Sequence, residues 1–233
     1  MTNPLLLIFW ICNFAPSNPD TRMRRLLLIT VAFLSCIAAG AQEIDEKDAF
    51  ATWTDVIIRK DFNKWHVGGL LEYCTVDKGY GMTHNEVILR PIVGYNPLEW
   101  LRLQGQVDFL YSFYSGFCLR YLADITFHAK ASDFRFSLRN RLQLTHDIYS
   151  GKVSPVIRTR LKTDYLIPKT PVSLHVAAEP YWLKHIVKCR FYFGADIKVH
   201  KNLSISADYI RYPNYKPDVQ DHNVIYLSLY VRL

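Results

Sequence analysis

Leu101–Phe113 reads LRLQGQVDFLYSF, and its side chains sort into two faces. Leu101, Leu103, Gly105, Val107, Phe109, Tyr111 and Phe113 fall on one side of an extended chain. Arg102, Gln104, Gln106, Asp108, Leu110 and Ser112 fall on the other. Strand side chains alternate with period two, so one face is apolar and the other almost wholly polar. The run exceeds the strand of a soluble sandwich (about 5–6 residues) and suits a tilted membrane-spanning strand of about 9–11. Alternation of this kind is what a strand needs between lipid and a polar lumen.

The composition fits that reading. The chain has 233 residues, 50% hydrophobic and 21% charged, enough for one large all-β domain. A helical membrane protein needs apolar runs of about 18 or more. The two apolar runs, Leu5–Cys12 and Leu26–Ala39, fall short of that, and charges interrupt everything after Gln42. Met23-Arg24-Arg25, the apolar stretch Leu26–Ile37 and Ala39-Gly40-Ala41 have the order of a secretory signal: basic start, apolar core, small-x-small cleavage site. Residues 1–41 are therefore expected to be an upstream extension plus signal peptide, with Met23 the true start, and residues 42–233 the barrel. Cys36, after Phe33-Leu34-Ser35, loosely resembles a lipid-attachment site.

Removing the signal takes away Arg22, Arg24, Arg25 and Asp20, so the formal charge of +7 drops by two. The remaining cations are spread singly along alternating strands, which speaks against nucleic-acid binding. Cys74, Cys118 and Cys189 are far apart and lack the close spacing of zinc ligands. They read as small apolar fillers, or as one disulfide in an exported protein.

The alternating unit recurs eleven times: Phe50–Lys60, Trp65–Thr75, Glu86–Tyr95, Leu101–Phe113, Phe117–Ala129, Phe134–Thr145, Val153–Tyr165, Val172–Trp182, Cys189–Val199, Leu203–Tyr212 and Asn223–Leu233. Short turns follow Lys60, Tyr95, Ala129, Tyr165 and Val199. The connections after Thr75 and Tyr212 are longer. Outer-membrane barrels have short periplasmic turns and longer external loops, so this rhythm sets an orientation. The expected fold is a single antiparallel up-and-down transmembrane β-barrel of ten to twelve strands. Twelve is favoured because an even number is the rule, with Glu43–Ala49 supplying the extra strand. Aromatic residues gather at strand ends: Trp65, Tyr95, Trp100 and Tyr165 at one, Tyr73, Tyr111, Phe113, Tyr149 and Trp182 at the other. That is where rings with one apolar and one wet end settle.

The Trp53 strand, Lys64-Trp65 with Glu72 beyond it, Arg139-x-Arg141, Arg158-x-Arg160, Glu179-Pro180 and Arg190 followed by Gly194 together resemble the domain of unknown function 2490 family. The resemblance covers most of residues 50–233. It implies an exported outer-membrane barrel of a Gram-negative bacterium and brings no established activity. The chain ends Val231-Arg232-Leu233, whereas many such barrels end in Phe.

The alternation sends Arg90, Arg102, Arg120, Arg135, Arg139, Arg141, Arg158, Arg160, Lys162 and Arg190 inward, with Glu72, Glu86, Asp108, Asp124, Asp164, Glu179, Asp196 and Asp208. Isolated buried charges are prohibitively costly, so these must pair across strands or stay wet. Two functions fit: a structural ion-pair lattice filling a narrow lumen, or a narrow pore favouring anions through its Arg-rich strands. An exported ligand-binding barrel, with inside and outside exchanged, is an alternative, as is a lipid-modifying enzyme. For the latter, Ser173/His175 and Thr126/His128 share strand faces, but residues i and i+2 lie about 7 Å apart, too far for a direct hydroxyl–imidazole bond. No cofactor or metal is called for. The expected partners are outer-membrane lipid, the barrel-assembly machinery during insertion, and a small polar or anionic solute.

Overall fold

Eleven stretches of alternating polarity become eleven strands: β1 (Ala49–Phe62), β2 (Trp65–Asp77), β3 (Met82–Leu98), β4 (Leu101–Ser112), β5 (Gly116–Ala131), β6 (Phe134–Asp147), β7 (Val153–Leu166), β8 (Val172–Trp182), β9 (Ile186–His200), β10 (Leu203–Tyr212) and β11 (His222–Arg232). The computed structural model describes residues 49–77, 82–183, 186–213 and 222–233. Each strand pairs antiparallel with the next in sequence, and β1 meets β11 to close the barrel. Several strands outrun their alternating stretch, as β3 does, because backbone pairing continues after the side-chain pattern has faded.

The closure corrects the expectation of twelve strands and of purely antiparallel pairing. β1 and β11 run parallel, in register from Ala49 opposite His222 to Arg59 opposite Arg232. An odd number of strands brings first and last together pointing the same way, and parallel pairing satisfies both edges. No edge is left for a twelfth strand. Residues 43–48 of the proposed extra strand, and the whole 1–41 segment, lie outside the described residues.

Tight reversals gather at one rim. Asn63 and Ser132 there adopt left-handed φ of 54° and 52°, as two-residue hairpins require. The connections after β2, β4, β6, β8 and β10 lie at the other rim, here called the loop rim. Cys74, Cys118 and Cys189 are all free thiols.

The faces follow the alternation. Leu71, Leu89, Val93, Leu103, Ile125 and Ile157 project outward and are exposed, whereas Asp108 and Glu179 point inward with 0% exposure. Outward aromatic pairs ring the turn rim: Trp65 with Tyr95 at 4.7 Å between ring centres, Trp100 stacked on Phe127, Phe134 against Tyr165. The interior also has an apolar side. Ala51, Ala177, Tyr192, Ile210 and Val224 form a buried cluster with Trp53, Val76, Tyr212 and Tyr226 packed on it.

Large inward side chains fit where the facing strand gives way. His66 donates or accepts one hydrogen bond with Gln104 at 3.1 Å, and its ring occupies the space that a side chain on Gly94 would take. Gly194 likewise leaves room for the 2.5 Å contact between His175 Nε2 and Asp208.

Candidate functional site: the charged lumen

Strand register creates an electrostatic conflict. It sets Arg139 directly opposite Arg160 and Arg141 opposite Arg158 on the inner wall. Like charges so placed repel, and the guanidinium groups reach sideways to escape. Arg141 turns to Asp124 on β5, with Nε and Nη2 each 2.6 Å from a carboxylate oxygen. Arg158 turns to Glu179 on β8, through Nη2 at 2.9 Å and Nε at 3.2 Å. Arg139 reaches across β7 to the same carboxylate at 2.5 Å. Such forked, charge-assisted pairs are the strong kind, and they hold both partners in a fixed orientation.

A second carboxylate is shared in the same way. Asp108 receives Arg90 at 2.5 and 3.0 Å and Arg120 at 3.2 Å. Neutral donors fill remaining lone pairs: Gln106 Nε2 to Asp124 at 2.8 Å and the Tyr192 hydroxyl to Glu179 at 2.7 Å. Asp55 takes hydroxyl donors from Tyr226 and Ser228. These groups form a dense layer across the middle of the barrel.

In the half nearer the loop rim lies a cavity of about 430 Å³. Of the residues singled out from the sequence, Glu72, Glu86, Arg90, Arg120, Arg139, Arg141, Arg158, Arg160 and Arg190 line it. Asp108, Asp124 and Glu179 stand behind them as partners. Arg102 is not part of it; it sits toward the turn rim, donating to Asn96 at 3.1 Å.

Sequence reasoning missed Lys188, Trp53, Tyr212 and Asp55. Lys188 falls in a stretch that reads as a connection before Cys189, yet β9 already begins at Ile186. Its ammonium lies 4.5 Å from the Tyr181 ring centre and 5.1 Å from that of Tyr212. Arg190 stacks over Trp53, Tyr181 and Tyr212 at 4.9, 5.1 and 4.4 Å, and donates to the Tyr212 hydroxyl. Arg158 packs 4.5 Å from Tyr181 as well. Cation–π contact favours each placement, but three cations on one ring also crowd positive charge.

Toward the turn rim, Asp164, His175 and Asp196 place potential metal-ligating atoms within 4.8 Å of one another. Lys162 Nζ already sits 2.8 Å from Asp164 and 3.5 Å from Asp196, so the chain supplies its own cation there. His175 Nε2 faces Asp208, and among the described residues no hydroxyl bonds either His175 or His128. Ser173 and Thr126 thus form no hydroxyl–imidazole pair with them.

A closed all-β barrel of eleven strands, with a charged, largely ion-paired interior, is the class of protein these features define. Residues 50–223 match the family described as Protein of unknown function (DUF2490), and the chain belongs to it. No curated protein matches the chain.

Proposed function

We propose that the protein is an exported β-barrel of the outer membrane of a Gram-negative bacterium, structural or serving as a narrow, weakly anion-favouring conduit. The observation that carries this reading is the inverted polarity of the wall. Leu71, Leu89 and Ile157 are each more than half exposed on the outside, and they belong to a continuous apolar band between aromatic rims. A water-soluble protein rarely exposes so large an apolar surface, while lipid is the solvent such a band suits.

The reading places the turn rim on the periplasmic side and the loop rim outside. Outer-membrane lipid is then the surrounding partner, and the assembly machinery a transient one. The mid-barrel layer of Asp108, Asp124, Glu179 and their arginines narrows the lumen. Two carboxylates shared among four arginines leave the layer net positive, which favours anions. No catalysis is assigned.

Reconstitution tests it. The protein is expected to need detergent or lipid, to migrate differently on denaturing gels before and after boiling, and to give small anion-preferring conductance in planar bilayers. Neutral sugars should not pass. Large conductance without ion preference would show an open lumen and end the narrow-conduit reading.

A further inference from the structure

The loop-rim cavity is polarised from wall to wall. Arg160, Lys188 and Arg190, from β7 and β9, line one side, and none of them pairs with a carboxylate among the described residues. Glu72 and Glu86, from β2 and β3, line the same cavity and have no cationic partner among the described residues. In the closed strand order, three strands lie between β7 and β3 on one side and three between β9 and β2 on the other. The acidic pair and the basic group therefore occupy opposing walls.

In the layer beside this cavity, Arg141 and Asp124, Arg90 and Asp108, and Arg158 and Glu179 find each other within hydrogen-bonding distance. Here five do not. Lys188 and Arg190 instead rest on aromatic faces, which hold the side chains in place and leave their charge uncompensated. The Nε atoms of Arg120 and Arg190 are buried donors without a hydrogen-bond acceptor. A volume of about 430 Å³ is in the range of small-molecule sites.

We infer that this cavity binds a small zwitterionic phosphate ester, its phosphate held by Arg160, Lys188 and Arg190 and its ammonium by Glu72 and Glu86. Guanidinium and ammonium groups together match the several oxygens of a phosphate. The three unpaired cations exceed the two unpaired carboxylates by one, and a phosphomonoester bearing one amine has the net negative charge that offsets this. The inference rests on the polar-lumen barrel proposed above and adds to it a ligand class. The same headgroup chemistry occurs in free phosphoethanolamine and, as a diester, in lipid.

The test is calorimetric titration of the full-length, detergent-solubilised barrel with phosphoethanolamine, inorganic phosphate, ethanolamine and glycerophosphoethanolamine. Phosphoethanolamine should bind saturably, more tightly than phosphate, with ethanolamine alone silent. Lys188→Met should weaken phosphate and phosphoethanolamine alike by about tenfold, the loss of one charge-assisted contact. Glu72→Gln and Glu86→Gln should bring phosphoethanolamine down to the level of phosphate alone. A preference for the monoester assigns a free solute, and a preference for the diester assigns a lipid headgroup. The gel shift on boiling reports folding for every variant. A barrel that shows this shift yet binds no phosphoethanolamine, or binds it no better than phosphate, overturns the inference and leaves the membrane reading standing. A protein that is soluble without detergent and shows no shift overturns the membrane reading itself.

Discussion

Asp124 and Arg141 face each other across β5 and β6 as a two-point pair, with both nitrogen–oxygen distances at 2.6 Å and each residue 5% exposed. Neither group could stay charged there alone. Removing one partner of a buried pair strands the other and costs about 3–5 kcal/mol, whereas replacing both with apolar groups of similar volume is far milder. Asp124→Leu and Arg141→Met should each lower the urea midpoint of the folded barrel strongly, and the double variant should recover most of the loss. Additive losses would mean that the two side chains do not act as a pair.

Parallel closure can be trapped chemically. Val56 and Leu229 are register partners and both lie on the outer face. Neighbouring strands hold paired residues within disulfide reach. With Cys74, Cys118 and Cys189 replaced by alanine, Val56→Cys with Leu229→Cys should cross-link under mild oxidation. Phe50→Cys with Leu229→Cys should not, since those positions are several residues out of register. Efficient cross-linking of the control pair would reverse the direction assigned to β1.

Leu103 lies on the outer face and is 39% exposed. Leu103→Arg should destabilise the barrel by about 1 kcal/mol, since Leu103 pairs with Tyr95 of the turn-rim aromatic ring and lies well short of mid-strand. Leu103→Phe should be tolerated. The measurement is the fraction keeping the unboiled mobility after refolding into lipid vesicles. Equal recovery of both variants would count against lipid on that face.

Glycines give a further prediction. A Cβ on Gly194 would stand 2.6 Å from His175 Nε2 and also collide with Asp208. Gly194→Ala should therefore break the His175–Asp208 contact and lower stability by about 1–3 kcal/mol, as overpacking does. Gly105→Ala, whose Cβ would meet only Val93 at 3.8 Å, should be nearly neutral. Urea unfolding of both variants decides it.

What could be read from the sequence follows from what is local. The face of each residue on β4 and β5 is written in neighbours two apart, so Asp108, Arg120 and Asp124 could be placed inside directly. β1 was harder. Its inner face mixes Trp53, Asp55, Ile57 and Arg59 while its outer face sets Thr52 and Thr54 among Phe50, Val56 and Ile58, so polarity does not alternate and nothing local marks Asp55 as buried. Lys188 escaped because the sequence before Cys189 reads as a connection, whereas backbone pairing already begins at Ile186. Closure is non-local altogether: the meeting of Ala49 with His222 leaves no mark near either residue. The same holds for Gly194, whose smallness serves side chains from β8 and β10.

Glu179 also fastens neighbouring strands to one another. Its carboxylate receives Arg139 from β6, Arg158 from β7 and the Tyr192 hydroxyl from β9. A charge leaves water readily only once its partners have arrived. Burial of this carboxylate thus depends on β6, β7 and β9 together with its own β8, so one acidic side chain ties four successive strands into a single electrostatic unit.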